Sequence, residues 1–332
     1  MGLKPAKRGD SIKPGVERSV TPGSKASMTT AIEIDNLTKD YETGFWRKRQ
    51  TRALDGLSLT VESGQIFGFL GANGAGKTTT LKLLMRLTFP TAGTARILAR
   101  DISDVGMHER IGYLPENPYF YDYLTAREFL NYCGELFGLD RPKRERRTKE
   151  LLTLVNLETK AWDRQLRKFS KGMLQRVGLA QALVNDPEIV FLDEPMSGLD
   201  PVGRREVRDL IASLRTQGKT VFMCSHILSD IEVLCDNVAI LKHGRLAHAG
   251  SLEELRAGEA NTFEVIATGA DAEVLQRRLA EGATVTTTAS GLRIEVANES
   301  DVDAVIEALR QAHGKLVSVQ PVRQSLEELF LD

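Results

Sequence analysis

The segment Gly71-Ala-Asn-Gly-Ala-Gly-Lys-Thr-Thr79 constrains the fold of this chain more than any other. It fits G-x-x-x-x-G-K-[ST], follows the apolar run Ile66–Leu70 and precedes the helical pattern Leu81-Lys-Leu-Leu-Met-Arg-Leu87. That order, strand then glycine-rich turn then helix, sets the turn at the carboxyl end of a strand in an α/β sheet. Glycines 71, 74 and 76 let the backbone wrap a polyphosphate, and the N–H groups from Gly71 to Thr79, with Asn73 and Ala75 among them, point inward. The following helix adds its positive end. Lys77 reaches the β- and γ-phosphates as a mobile point charge, and the Thr78 hydroxyl ligates Mg²⁺. The pattern predicts a site for a nucleoside triphosphate.

A second apolar run, Ile189–Leu192, ends in Asp193 and Glu194 and reads as a strand buried in a parallel sheet. Its carboxyl end lies on the edge that carries the phosphate loop. Asp193 is placed to hold Mg²⁺ through its water shell, and Glu194 to polarise the water that attacks the γ-phosphate. Composition narrows the partners. With 44 Lys and Arg against 45 Asp and Glu, the 332-residue chain lacks the basic excess of a nucleic-acid binder. No stretch approaches the roughly 18 apolar residues needed to cross a bilayer. Cys133, Cys224 and Cys235 form an odd set with no zinc-ligand spacing, which points to a reduced, zinc-free chain.

Residues 1–30 form a basic tail; six Lys or Arg against Asp10 and Glu17 give its first 28 residues a charge of +4. It has no apolar core of a secretory signal, and disorder is the expectation. Strand patterns begin at Ala31-Ile-Glu-Ile-Asp-Asn-Leu37, followed by the basic loop Phe45–Arg49 and two strand runs split at Glu62-Ser63-Gly64. Helical patterns fill about 118–185, where Thr125-x-x-Glu128 opens one helix and Arg141–Glu150 reads as a charged face plus connector. Two strands pair as a hairpin near His243-Gly244, and Ser251-x-x-Glu254 has the form of a capping box. From about residue 256 the order β-α-β-β-α-β suggests a small ferredoxin-like α+β unit, closed by a helix from Ser325 onward. It carries no catalytic constellation; regulation, dimer stabilisation or a purely structural appendage are its three readings.

Between these blocks stands FSKGMLQRVGLAQAL, residues 169–183, just upstream of PEIVFLDEPMSGLD. With it the chain resembles the nucleotide-binding subunit of an ATP-binding-cassette (ABC) transporter over about residues 31–250. The resemblance implies a P-loop NTPase cassette at 31–255, with a mixed sheet plus a helical subdomain, and an accessory α+β domain at 256–332. It implies that Tyr41 stacks on adenine, and that Ser170 and Gly172 clasp the γ-phosphate of ATP held by the opposite subunit. It matches Ser197 to Asp200 with the D-loop, so that Asp200 joins the ATP site, and His226 with the switch histidine that contacts the γ-phosphate. Glu194, His226 and Lys77 are then the catalytic set. The physical logic agrees, since Ser170 opens a helical run and so builds another anion-binding helix start.

Two positions depart from the commonest family pattern. Glu116 stands where Gln is usual and is a candidate Mg²⁺ ligand beside Thr78 and Asp193. Lys171 replaces a small residue, either adding charge near the γ-phosphate or facing solvent. Both resemble an export-type subgroup whose small C-terminal domain ends in a motif like Ser325–Phe330. The resemblance therefore implies an ATPase subunit that uses ATP and Mg²⁺, forms a homodimer and drives a separate transmembrane permease from the inner face of the membrane. Its only membrane contact is through that permease, which docks on the helical segment Glu116–Asp140. Tyr119, Phe120, Tyr121 and Tyr123 in that segment suit an interface and a local core equally. The rival is a soluble cassette ATPase that remodels ribosomes or nucleic acid. A single cassette with 116 positions from Lys77 to Asp193 argues against it, and the absence of an NKxD motif argues against a GTPase.

Overall fold

The computed structural model describes residues 29–43, 49–257, 262–279, 283–288 and 291–322. The basic tail up to residue 28, loop residues 44–48 and the expected closing helix from Ser325 lie outside them. Strands β1 (Thr30–Thr43) and β2 (Arg49–Glu62) form a long antiparallel pair. Strand β3 (Ile66–Leu70) leaves them for a second sheet, β4 (Ala92–Ile97) pairs with the other side of β1, and β5 (Arg100–Asp101) completes the order β2-β1-β4-β5. β1 is longer than the alternation Ala31–Leu37 predicts. The register shifts between Ile34 and Leu37, and Asn36 takes φ +48°, so a bulge restores the inward face and the strand continues.

The second sheet has the order β10-β9-β3-β8-β7-β6. Its members are β3, β6 (Ile111–Leu114), β7 (Ile189–Asp193), β8 (Thr220–Ser225), β9 (Asn237–Lys242) and β10 (Arg245–Ser251). Five are parallel and β10 alone is antiparallel, so the sheet is mixed, as expected. Every residue of β3, β7 and β8 is buried, which explains why these strands read as unbroken apolar runs. Phe67, Phe69 and Phe191 all pack on Phe222, with ring centroids 5.3–5.8 Å apart. The β9–β10 hairpin turns through His243 (φ +48°) and Gly244 (φ +77°), the pair of left-handed residues that a tight two-residue turn requires.

Helix α1 (Lys77–Leu84) follows β3. Helices α2 (Ala126–Leu136), α3 (Arg141–Leu154) and α4 (Lys171–Ala182) lie between β6 and β7, where helical patterns were expected. Thr125 and Glu128 close a reciprocal capping box on α2. The Arg141–Glu150 run is helical throughout, with no connector inside it. Asp140 caps its start, Pro142 sits in the first turn where no N–H is needed, and the pairs Arg141–Glu145 and Arg146–Glu150 span one turn each. Helices α5 (Pro201–Thr216), α6 (Leu228–Leu234) and α7 (Leu252–Ala257) complete this part, and Ser251 and Glu254 make the expected box.

The remaining elements are β11 (Thr262–Thr268), α8 (Ala272–Arg278), β12 (Thr284–Thr288), β13 (Gly291–Val296), α9 (Glu299–Gln311) and β14 (Lys315–Val322). Their sheet order, β12-β13-β11-β14, with antiparallel neighbours throughout, is the ferredoxin-like arrangement. They enclose a core of their own around Val265, Leu275, Ile294 and Val305. Among the described residues no helix is long and apolar enough to cross a membrane.

Candidate active site

The phosphate loop leaves the carboxyl end of β3 and enters α1. Gly76 caps α1 at φ +112°, and a Cβ there would come within 2.7 Å of the Ala53 carbonyl, so only glycine fits. A cavity of about 320 Å³ is lined by Asn73, Gly74, Gly76, Lys77, Thr78 and Thr79, together with Glu116 and Glu194. Ala53 of β2 also lines it, a contribution made by sheet packing and invisible in the local sequence. Two loop residues stand apart. Gly71 offers its carbonyl to Lys77, and the Ala75 N–H donates to the Ala72 carbonyl at 3.1 Å. Lys77 is only 6% exposed. Its Nζ donates to Gly71 at 2.6 Å and Ala72 at 3.3 Å, and lies 3.6 Å from Glu194 Oε1.

Asp193 ends β7 and is 1% exposed. Its Oδ2 accepts from the Thr78 hydroxyl at 3.0 Å, while its Oδ1 is buried without a hydrogen-bond partner. Burial pushes its carboxyl up to about 6; the Thr78 bond opposes this, and the charges of Glu194 and Glu116 reinforce it. The described residues gather no cluster of three or more His, Cys, Asp or Glu for a metal, but an orphaned carboxylate oxygen on Asp193 beside the Thr78 hydroxyl suits a hard cation that keeps several waters, so this pair fits Mg²⁺. The raised value also has a sign. A carboxyl held above its unfolded value stabilises the fold most below about pH 4, and that contribution is lost as pH rises through 6. The loss at neutral pH is about 3 kcal/mol. Asp193→Asn keeps the Thr78 bond and removes the buried charge. The metal-free protein should gain about 1–3 kcal/mol at pH 7.5 and lose much of its stability decline between pH 4 and 7, while Mg²⁺-dependent turnover disappears. Thermal melts across that range check it; an unchanged pH profile contradicts the assignment.

Glu194 takes φ +49°, a left-handed conformation costly for a residue with a side chain. Two backbone bonds hold it there: its N–H donates to the Cys224 carbonyl at 3.0 Å, and its carbonyl accepts from Ser197 at 3.0 Å. The turn aims Oε1 at both Lys77 Nζ (3.6 Å) and His226 Nδ1 (2.9 Å). β7 and β8 are parallel neighbours with Asp193 opposite Cys224, which brings Glu194 and His226 together. The pattern of the strand end pointed to Glu194 and the family resemblance to His226, but neither showed the left-handed turn that joins them.

Ser170 caps α4, its Oγ accepting from the Met173 N–H at 3.3 Å. Ser170, Gly172 and Asp200 line a separate cavity of about 660 Å³ that shares no residue with the phosphate cavity. Asp200 caps α5 through a 2.7 Å bond from the Gly203 N–H. Gln175, which sequence reading passed over, donates from inside α4 to the buried Pro195 carbonyl at 2.8 Å and so ties α4 to the turn after Glu194. Tyr41 pairs with Thr51 across β1 and β2, carries Lys39 5.0 Å from its ring centroid, and does not line the phosphate cavity.

Residues 54–197 match the ABC transporter family, and residues 250–332 match the C-terminal domain of DrrA1-3-like ATP-binding proteins. An uncharacterised ABC transporter ATP-binding protein of Synechocystis is 47% identical over 305 residues, which is 92% of this chain and 84% of that one. Nod factor export ATP-binding protein I of Ralstonia nicotianae is 35% identical over 261 residues, 78% and 79% of the two chains. Among solved structures, the dimeric post-hydrolysis state of the ATP-binding cassette MJ0796 bound to ADP and Pi superposes with a TM-score of 0.61 at 26% identity, covering 67% of this chain and 98% of that one. By its phosphate loop, its paired carboxylates, its fold and these relatives, the chain belongs to the ATP-binding subunits of ABC transporters.

Proposed function

We propose that the chain hydrolyses ATP as a homodimer and so drives export through a separate transmembrane permease at the inner face of the membrane. The observation that carries this reading is the Glu194 carboxylate, fixed between Lys77 and His226 at the mouth of the phosphate cavity. The loop N–H groups and Lys77 bind the phosphates, and Glu194 takes the proton of the attacking water. His226, exposed and anchored by Nδ1, keeps the rest of its ring free to meet the γ-phosphate. Thr78, Asp193 and Glu116 would hold Mg²⁺, which neutralises phosphate charge when bound.

Two observations support a dimer. The Ser170 face and the phosphate loop line different cavities with no residue in common, which suits a signature that meets a nucleotide held by another chain. MJ0796, of like fold, is dimeric. The export direction is supported by the Nod factor export relative. For the permease, the aromatic residues expected either at an interface or in a core divide. Phe120 packs edge-on against Phe129 at 5.2 Å and belongs to the core, whereas Tyr119 is 85% exposed, with Tyr121, Tyr123 and Tyr132 exposed around it. The test is purification from detergent-solubilised membranes. The wild-type chain should bring down an integral membrane protein and Tyr119→Asp should lose most of it while folding normally. Equal recovery of that protein by both chains, or none by either, contradicts the reading.

A further inference from the structure

The cavity at the start of α4 holds more positive charge than its own chain neutralises. Of the carboxylates that line it, Glu158 is taken by Lys160 at 2.7 Å, and Asp200 is committed to capping α5. Arg176 is held by Glu206. Arg164 lies 3.2 Å from the Met173 sulfur and 5.0 Å from the Phe169 ring centroid, and among the described residues its charge reaches Glu158, whose hydrogen bond goes to Lys160, without an ion pair of its own. Lys171 has no hydrogen bond or ion pair among the described residues.

Lys171 is also badly placed for a cation. It is the first residue of α4, beside the helix N–H groups, and the first turn contains no acid. Its chain folds instead across Gly198, whose left-handed backbone (φ +67°) leaves room for it; a Cβ on Gly198 would overlap the ammonium. An exposed lysine at the wrong end of a helix, without a carboxylate and resting on bare backbone, is an arrangement that an arriving anion relieves.

We propose that Lys171 binds the terminal phosphate of the ATP held by the opposing subunit, leaving Gly198 when the two subunits close. The proposal rests on the composite-site reading above and adds to it a charged side chain supplied across the interface. Four methylenes give the ammonium the reach, and a triphosphate offers the terminal charge that a diphosphate lacks. The contact makes closure depend on ATP through charge as well as shape.

The test uses the full chain carrying Glu194→Gln, so that ATP persists, and follows ATP-driven dimerisation by sedimentation velocity at several salt concentrations. Lys171→Met keeps length without charge, and Lys171→Arg keeps charge. Lys171→Met should weaken each site about tenfold, and the symmetric dimer about a hundredfold, with a shallower salt dependence. Lys171→Arg should dimerise within a few-fold of the parent, and ADP should not distinguish the variants. A Lys171→Met chain that dimerises as tightly as its parent, with the same salt dependence, overturns the proposal. So does failure of Lys171→Arg alongside Lys171→Met, which would make packing on Gly198 the role of the lysine. If the parent itself forms no ATP-driven dimer, the composite site fails first.

Discussion

Glu194→Gln should bind ATP, lose turnover by about a thousandfold and accumulate as an ATP-bound dimer. The carboxylate Oε1 lies 2.9 Å from His226 Nδ1 and 3.6 Å from Lys77 Nζ. An amide of the same shape keeps one oxygen for these contacts but cannot accept the proton of the attacking water. The backbone bonds to Cys224 and Ser197 hold the left-handed turn whatever the side chain, so the fold survives the change. Removing the charge also relieves Asp193, whose carboxyl is pushed up in part by Glu194. Cation binding therefore persists, and the loss is confined to the chemical step. Single-turnover hydrolysis and gel filtration with ATP measure the two effects separately. Normal steady-state turnover by the variant would remove Glu194 from its assigned role.

The reason this residue was found from pattern alone is that a parallel sheet gathers the carboxyl ends of its strands on one edge. A glycine-rich loop after Leu70 and two acids after Leu192 must then be neighbours once β3, β8 and β7 pair. Buried strands and capped helices were legible for the same reason: burial on both faces demands unbroken apolar runs, and Thr125-x-x-Glu128 states its own hydrogen bonds. The details that make the site work were not. The left-handed turn at Glu194 depends on the Cys224 carbonyl, supplied by a strand thirty positions away in the chain. Ala53 reaches the cavity only because β2 lies beside the loop. The bulge at Asn36 and the unbroken helix at α3 were missed because single side chains there, an αL asparagine and a capping Asp140, override the local pattern. For Lys171 the sequence left two readings, charge near the γ-phosphate or a solvent-facing side chain, and it could not show Gly198 lying beneath the ammonium.

Lys77→Ala should lose ATP affinity by a hundredfold or more, on the order of the charge-assisted bonds to two phosphates that it removes. The ammonium is buried and already satisfied by the Gly71 and Ala72 carbonyls, so the phosphate contacts exchange for these rather than being paid for by desolvation at binding. Without it, the Glu194 carboxylate also loses its nearest cation, which raises the cost of bringing phosphate charge into the cavity. Ser170→Arg acts on the other cavity: the cap of α4 is lost and a bulky side chain fills the face proposed to meet the opposing nucleotide, while the phosphate loop of the same chain is untouched. Each variant alone should be inactive, for different reasons. Mixed in equal amounts at saturating ATP, they form heterodimers with one site built from the intact loop of the Ser170→Arg chain and the intact signature of the Lys77→Ala chain. With random pairing and independent sites, turnover should return to about a quarter of the parental value. Recovery on mixing is the outcome that a single-chain active site cannot produce. An inactive mixture, or a fully active Ser170→Arg chain, would place every catalytic group within one subunit.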